Sequence, residues 1–144
     1  MSLENLLAIR RLQKHEASRE SILKLLSAAE RNLADSRAAN ISAENRFDAA
    51  YKVIMQCATA ALWMKGYRTP TSEAGHHQTT IQTLPKTIGL DQDTVIVLDA
   101  LRKQRNLADY AGDSVSDASL AECIGQVERL FAKVRKAISA TKSK

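Results

Sequence analysis

A one-sided apolar stripe near the end of the sequence constrains the fold more than any other feature. Apolar residues recur there at alternating steps of four and three positions, at Leu120, Ile124, Val127, Phe131, Val134 and Ile138. This spacing follows the 3.6-residue turn of an α-helix that buries one face. It predicts a helix that begins near Asp117 and that needs other elements to cover its stripe.

Similar spacing predicts helices in most of the remaining sequence. Ser42 is a suitable N-cap for a long, Ala-rich helix that Gly66 ends, and the wide apolar stripe of this helix predicts that it is the most buried one. Another helix is expected from about residues 91–93 to Tyr110, with Gly112 as its stop signal.

Two segments are harder to interpret. The first forty residues have helical spacing, and they form either one helix or two that separate at Ser18 or Ser21. The segment between Gly66 and Asp91 is the least regular, and Ser72 is expected to cap a short helix there that Pro85 ends.

The composition favours the same fold class. The chain of 144 residues has 5 glycines, 2 prolines and 4% aromatic residues, too few for the turns and core of a β-sandwich. We therefore predict an all-α fold, a five-helix up-and-down bundle that forms one domain over residues 1–144. No segment has the length and apolarity of a membrane span or of a secretory signal, so we expect a cytoplasmic protein without membrane contact.

Positive charge is concentrated at the C-terminal end. The net charge is +5, and residues 129–144 contain no acid but six basic residues: Arg129, Lys133, Arg135, Lys136, Lys142 and Lys144. One interpretation is a non-specific phosphate contact. The other, which we favour, is a helix end that suits the helix dipole, followed by a frayed basic tail over residues 139–144.

The two cysteines predict neither a disulfide nor a metal site. Cys57 and Cys123 lie in apolar helical surroundings, and no second thiol or histidine stands at metal-ligand spacing from either. We expect buried free thiols and no metal or other cofactor.

The helix that ends at Gly112 carries the densest group of polar side chains. Arg105 and Asp109 are four residues apart and are expected to pair along one face, and Asn106 and Tyr110 have the same spacing on an adjacent strip. By spacing alone, we favour an ordinary solvated helix end with one ion pair over a binding site.

Three short blocks of the sequence, taken together, resemble the HEPN domain family (higher eukaryotes and prokaryotes nucleotide-binding). They are RFDAAY at 46–51, GHH at 75–77 and RNLADY at 105–110, and the resemblance spans about residues 42–138. It implies a small helical bundle that dimerises so that the Arg-containing helices of two protomers line a shared cleft. Many members are metal-independent RNases that act as toxins or antiviral effectors.

The family signature is an arginine, often a polar residue after it, and a histidine four to six positions later. Arg105 and Asn106 match its first half, but Tyr110 stands where the histidine would be. A phenol titrates near 10, whereas an imidazole accepts a proton near neutral pH. The resemblance therefore implies RNA or nucleotide binding by a cleft wall that consists of Arg102, Arg105, Asn106 and Tyr110.

Two alternatives remain. One is a metal-independent endoribonuclease that uses Arg105 and Tyr110 as catalytic residues, or a base recruited from His76 or His77. The other is a protein-interaction or antitoxin-like subunit, with a partner protein encoded nearby, in which the Arg105–Asp109 pair is only structural. His15 is expected on the charged first helix, and structural roles are favoured for His76 and His77.

Overall fold

The computed structural model describes residues 2–141 and consists mostly of helices. Its elements are α1 (Leu3–Ala8), β1 (Gln13–Lys14), α2 (Arg19–Ser36), α3 (Ala43–Met64), β2 (Tyr67–Arg68), α4 (His76–Gln82), α5 (Leu84–Thr87), α6 (Gln92–Ala111) and α7 (Asp117–Ala140). The prediction of a mainly helical chain is confirmed. The antiparallel pairing of β1 with β2, which joins Gln13 to Arg68 and Lys14 to Tyr67, was not predicted.

Helix α3 is the centre of the fold. It packs against α2 and α7 over most of its length, and α4, α5 and α6 contact it as well. Small side chains such as Ala50, Ala58 and Ala61 are fully buried on it, which lets neighbouring helices approach closely. The prediction that this helix is the most buried one is confirmed.

Local signals define the ends of the long helices. The hydroxyl of Ser42 accepts a hydrogen bond from the amide of Asn45, and α3 stops before Gly66, whose φ is +90°. Asp91 caps α6 in the same way, and Gly112 ends it with a φ of +73°. These ends agree with the prediction because each depends on residues within one turn.

The N-terminal region contains two helices rather than one, and Ser18 caps the second of them. Between them the chain leaves the helical path at Arg10, whose φ is +64°. Leu12 lies outside either helix because it packs with Leu3 against Leu62 of α3. His15 is therefore not on a helix, contrary to expectation, and its ring lies 4.9 Å from the ring of Trp63.

The predicted short helix before α6 has different ends. Gly75, with a φ of +76°, precedes α4, and Ser72 caps no helix. Pro85 does not end α4 but lies in the first turn of α5, where its missing N–H removes no helical hydrogen bond. The first error arises because the left-handed backbone of Gly75, and not a side-chain cap, begins α4. The second arises because α4 already ends at Gln82, and Thr83 joins it to α5 in the right-handed helical region.

Both cysteines are buried free thiols, as predicted. Burial raises the pKa of Cys57 and of Cys123 to about 12, and Glu122 adds to the effect at Cys123. Both thiols are therefore protonated and unreactive at neutral pH.

The basic residues that the structure describes near the C-terminus, Arg129, Lys133, Arg135 and Lys136, are exposed along α7. Lys142 and Lys144 of the predicted tail lie outside the described residues. Across residues 2–141, no helix has the length and apolarity needed to cross a membrane.

Candidate functional site

Helices α3, α4 and α6 bring five polar side chains together, and one of them is the arginine at the centre of the group. We call them the Arg105 cluster: Asp48 and Tyr51 from α3, His77 from α4, and Arg105 and Asp109 from α6. Each helix contributes residues from a different one of the three short blocks noted in the sequence. The packing of α4 and α6 against α3 therefore joins segments that are far apart in the chain.

Arg105 is held on three sides. Its Nε lies 3.1 Å from Oδ1 of Asp48 and 3.0 Å from Oδ2 of Asp109, and its Cζ lies 5.0 Å from the centre of the Tyr51 ring. Its side chain is 20% exposed, and Nη2 takes part in none of these contacts. Burial acts against the charge, but the bond to Asp48 and the charge of Asp109 raise the pKa of Arg105 further above its usual range.

Tyr51 connects the guanidinium to an imidazole. The Tyr51 hydroxyl is hydrogen-bonded to Nδ1 of His77 at 3.0 Å, and the two rings lie 6.0 Å apart. Burial raises the pKa of Tyr51 to about 12, although Arg105 and Arg102 act in the opposite direction. The phenol is therefore neutral at physiological pH and orients His77 without serving as a base.

His77 is neutral at physiological pH. Burial lowers its pKa below the ordinary value, and the nearby His76, Arg105 and Arg102 lower it further. The rings of His76 and His77 meet edge to face at 4.6 Å. A neutral imidazole with one nitrogen held by Tyr51 keeps its second nitrogen for a further partner.

The remaining predicted site residues lie around the cluster. Arg102 donates from Nε to Asp99 at 2.8 Å, so its charge is also compensated. Nη1 of Arg105 lies 3.5 Å from Oδ1 of Asn106, at the limit of a hydrogen bond. The predicted Arg105–Asp109 pair is confirmed.

Tyr110 lies apart from the Arg105 cluster. It is 82% exposed and takes part in no side-chain hydrogen bond or ion pair among residues 2–141. Five positions along a helix rotate a side chain by about 140°, so Tyr110 and Arg105 occupy different faces of α6. The exposed face of Tyr110 also carries Ile96, Ala100 and Leu107, and we call these four residues the α6 outer stripe.

The sequence alone did not assign functional roles to Asp48 and Tyr51, and it favoured a structural role for His77. The sequence did mark these three residues, since all of them lie in the blocks that carry the family resemblance. It did not show which residues of different blocks contact each other, because contacts such as Asp48–Arg105 span 57 positions. Among the described residues, no three His, Cys, Asp or Glu side chains are grouped so as to hold a metal ion.

Comparisons with known proteins add no family assignment. No protein-family model matches the chain, and neither the curated proteins nor the solved structures yield a match.

Proposed function

We propose that this chain is a HEPN-like helical domain that binds RNA or nucleotide through Arg105 and its neighbours. The proposal includes a homodimer and a role in toxin–antitoxin or antiviral defence, as the family resemblance implies. Its support is that the three resembling blocks converge in space on a single arginine. A chance likeness in three short blocks gives no reason for their side chains to meet.

The observation that carries the proposal is the geometry of Arg105. A guanidinium has five N–H donors, and the contacts with Asp48, Asp109 and Asn106 engage only Nε and Nη1. Nη2 keeps its donors for a phosphate oxygen. Because Asp48 and the Tyr51 ring already fix the side chain, little rotamer entropy remains to be lost when a phosphate binds.

The two carboxylates also give the proposal a discriminating test, because they compete with any phosphate for Arg105. We expect Arg105→Ala to weaken the binding of a labelled, mixed-sequence single-stranded RNA by tenfold or more, about the value of a charged hydrogen bond. Asp48→Asn breaks the same ion pair but keeps the guanidinium, so we expect it to strengthen binding. Fluorescence anisotropy at fixed ionic strength measures both changes.

The matched control is Lys136→Ala, which removes an exposed positive charge from α7. If Arg105→Ala and Asp48→Asn weaken binding alike, the pair is structural and the cleft proposal fails. If Lys136→Ala loses as much affinity as Arg105→Ala, binding depends on general positive charge. If the wild type binds no RNA or nucleotide, the protein-interaction alternative replaces this proposal.

The α6 outer stripe supports the homodimer. Ile96 and Leu107 are 60% and 54% exposed, and with Ala100, Lys103 and Tyr110 they repeat at steps of four and three, the spacing of a coiled-coil seam. Arg105 faces α3, on the opposite side of α6 from this stripe. A dimer formed through the stripe therefore leaves Arg105 outside the interface, so each protomer would bind RNA at its own Arg105 rather than in a shared cleft.

A second candidate function, metal-independent RNA cleavage, is favoured by the state of His77. Its lowered pKa keeps the ring neutral and able to accept a proton from a ribose 2′-hydroxyl. The 2′-oxygen then attacks the adjacent phosphorus, the bond to the 5′-oxygen breaks, and that oxygen takes a proton from water, while His77 later returns its proton to the solvent. Arg105 would stabilise the negative charge that develops on the phosphorane.

Incubation of the protein with labelled RNA in EDTA tests this candidate. We expect cleavage by the wild type, none by His77→Gln, and full activity in Tyr110→Phe. The reverse pattern would assign catalysis to Tyr110, as the sequence suggested. An absence of cleavage by the wild type would exclude this candidate and leave binding as the function.

A further inference from the structure

A cavity of about 550 Å³ lies next to the Arg105 cluster, and His77 belongs to both. It lies between α2, α3 and the segment from β2 to α4. Its volume is in the range that holds small-molecule ligands in proteins, roughly 300–1,000 Å³. His76 and His77 both line it, so the cavity and the Arg105 cluster share one imidazole.

One part of the wall is apolar and aromatic. Leu25 of α2 and Met55 and Trp63 of α3 form it, and Trp63 also contacts the ring of His15. Trp63 is the one tryptophan of the sequence. A flat ring system gains both buried area and stacking energy on such a wall, and every nucleobase presents such a ring.

Another part of the wall is cationic and rich in hydroxyl groups. Arg68, Thr69, Thr71 and Ser72 line it within five consecutive residues, and no aspartate or glutamate is among the lining residues. Arg68 forms no ion pair with any residue between 2 and 141, in contrast to Arg102 and Arg105, and its Nε donates to the neutral Gln13 at 3.1 Å. Its positive charge therefore has no carboxylate partner among these residues and remains available to an anionic group of a ligand.

We propose that this cavity binds a single unpaired nucleotide, with the base against Trp63 and the phosphate at Arg68, Thr71 and Ser72. The nucleotide is either free or part of an RNA strand. In an RNA strand, the cavity selects the base at one position, while the Arg105 cluster contacts the backbone nearby. This inference rests on the proposed function for its ligand class, but it concerns a different set of residues.

Trp63 supplies the readout, because it is the one tryptophan of the sequence and it lines the cavity. We would titrate AMP, GMP, CMP and UMP separately and follow the tryptophan emission, corrected for nucleotide absorption. The indole N–H signal in a ¹H–¹⁵N NMR spectrum is a second readout that absorption does not affect. We expect a saturable change with at least one of the four nucleotides.

Arg68→Gln is expected to weaken that binding by about tenfold or more, the value of a charged hydrogen bond to phosphate. The matched control is Arg31→Gln, an exposed arginine of α2 outside the cavity, which should leave the affinity unchanged. Circular dichroism of each variant checks that the helices are intact. Equal losses in the two variants, or no saturable change with any nucleotide or with single-stranded RNA, would overturn the inference.

The two proposals fail separately. If RNA binds with dependence on Arg105 while the Trp63 signals stay unchanged, the proposed function stands and the cavity inference is wrong. If a mononucleotide changes the Trp63 signals with dependence on Arg68 while no RNA binds, the cavity is a site for free nucleotide and the RNA form of the proposed function is wrong. If RNA shifts the Trp63 signals and Arg68→Gln prevents the shift, the cavity holds a nucleotide of the strand.

Discussion

At the scale of single residues, the positions of Arg105 and His77 are fixed by their contacts with neighbouring side chains of the candidate site. Arg105 has two carboxylates and an aromatic face, and His77 has the Tyr51 hydroxyl. The partners are on three helices, so each contact also fixes how α4 and α6 sit on α3. A substitution here changes binding chemistry and helix packing together, and this is why matched variants are needed.

The lowered pKa of His77 predicts that the protein loses stability in mild acid. The unfolded chain takes up a proton at this residue near the ordinary pKa of about 6.5, whereas the folded chain does so only at lower pH. The unfolded state therefore binds more protons as the pH falls below that value, and the free energy of unfolding decreases. Above about pH 7 this contribution is constant.

Urea unfolding between about pH 7.5 and pH 5 measures the effect. In His77→Gln, the free energy of unfolding should depend less on pH than in the wild type. The control is His15→Gln, which changes a histidine outside the cluster and should keep the pH dependence of the wild type. An unchanged slope in His77→Gln would mean that other groups govern the acid response.

The sequence was informative about this site only where partners are close along the chain. The Arg105–Asp109 pair was predictable because residues four apart on a helix are neighbours. The bonds Asp48–Arg105 and Tyr51–His77 join different helices, so they depend on how those helices pack. Periodicity indicates which face a helix buries but not which residue of another helix it meets.

At the scale of elements, the ends of the helices were predictable where a side chain or a glycine acts locally. Ser42, Gly66, Asp91 and Gly112 were all assigned correctly. The prediction was wrong at Ser72 because the Gly75 backbone begins α4 instead. The β1–β2 pairing escaped prediction because two residues per strand leave no periodic pattern and the strands lie about fifty positions apart in the chain.

Two glycine substitutions test whether local backbone conformation determines the stability of these helices, and they are expected to change the free energy of unfolding in opposite directions. Gly112 ends α6 with a φ of +73°, so Gly112→Ala should lower the free energy of unfolding by about 1–2 kcal/mol. Gly125 lies within α7, where an added Cβ meets only the flexible Arg129 side chain at 3.6 Å. Gly125→Ala should therefore raise stability by about 0.5–1 kcal/mol.

Urea or thermal unfolding of both variants measures these changes in the free energy of unfolding. A gain in stability for Gly112→Ala would show that α6 tolerates a different end. A loss for Gly125→Ala would show that α7 has a packing constraint at this position.

At the scale of the whole molecule, the exposed apolar face of α6 is the feature most relevant to assembly. Sedimentation velocity of the wild type should show a dimer, and Leu107→Glu should give a monomer because it places a charge in the middle of the α6 outer stripe. Leu23→Glu is the control, since Leu23 is an exposed leucine of α2 outside the stripe. If the protein remains a dimer in Leu107→Glu but becomes a monomer in Leu23→Glu, the interface lies on α2 instead.

The short ladder between β1 and β2 has a consequence for the rigidity of the cavity wall. Gln13 and Arg68, which pair in that ladder, both line the cavity, yet the N-terminal segment is secured by few main-chain bonds, one of them from the His15 amide to the Gly66 carbonyl at 2.9 Å. Backbone that is held by so few hydrogen bonds opens locally far more often than the whole molecule unfolds. We therefore expect the amides of residues 11–15 to exchange with deuterium well before those of α3, and a ligand that contacts both Gln13 and Arg68 to slow that exchange.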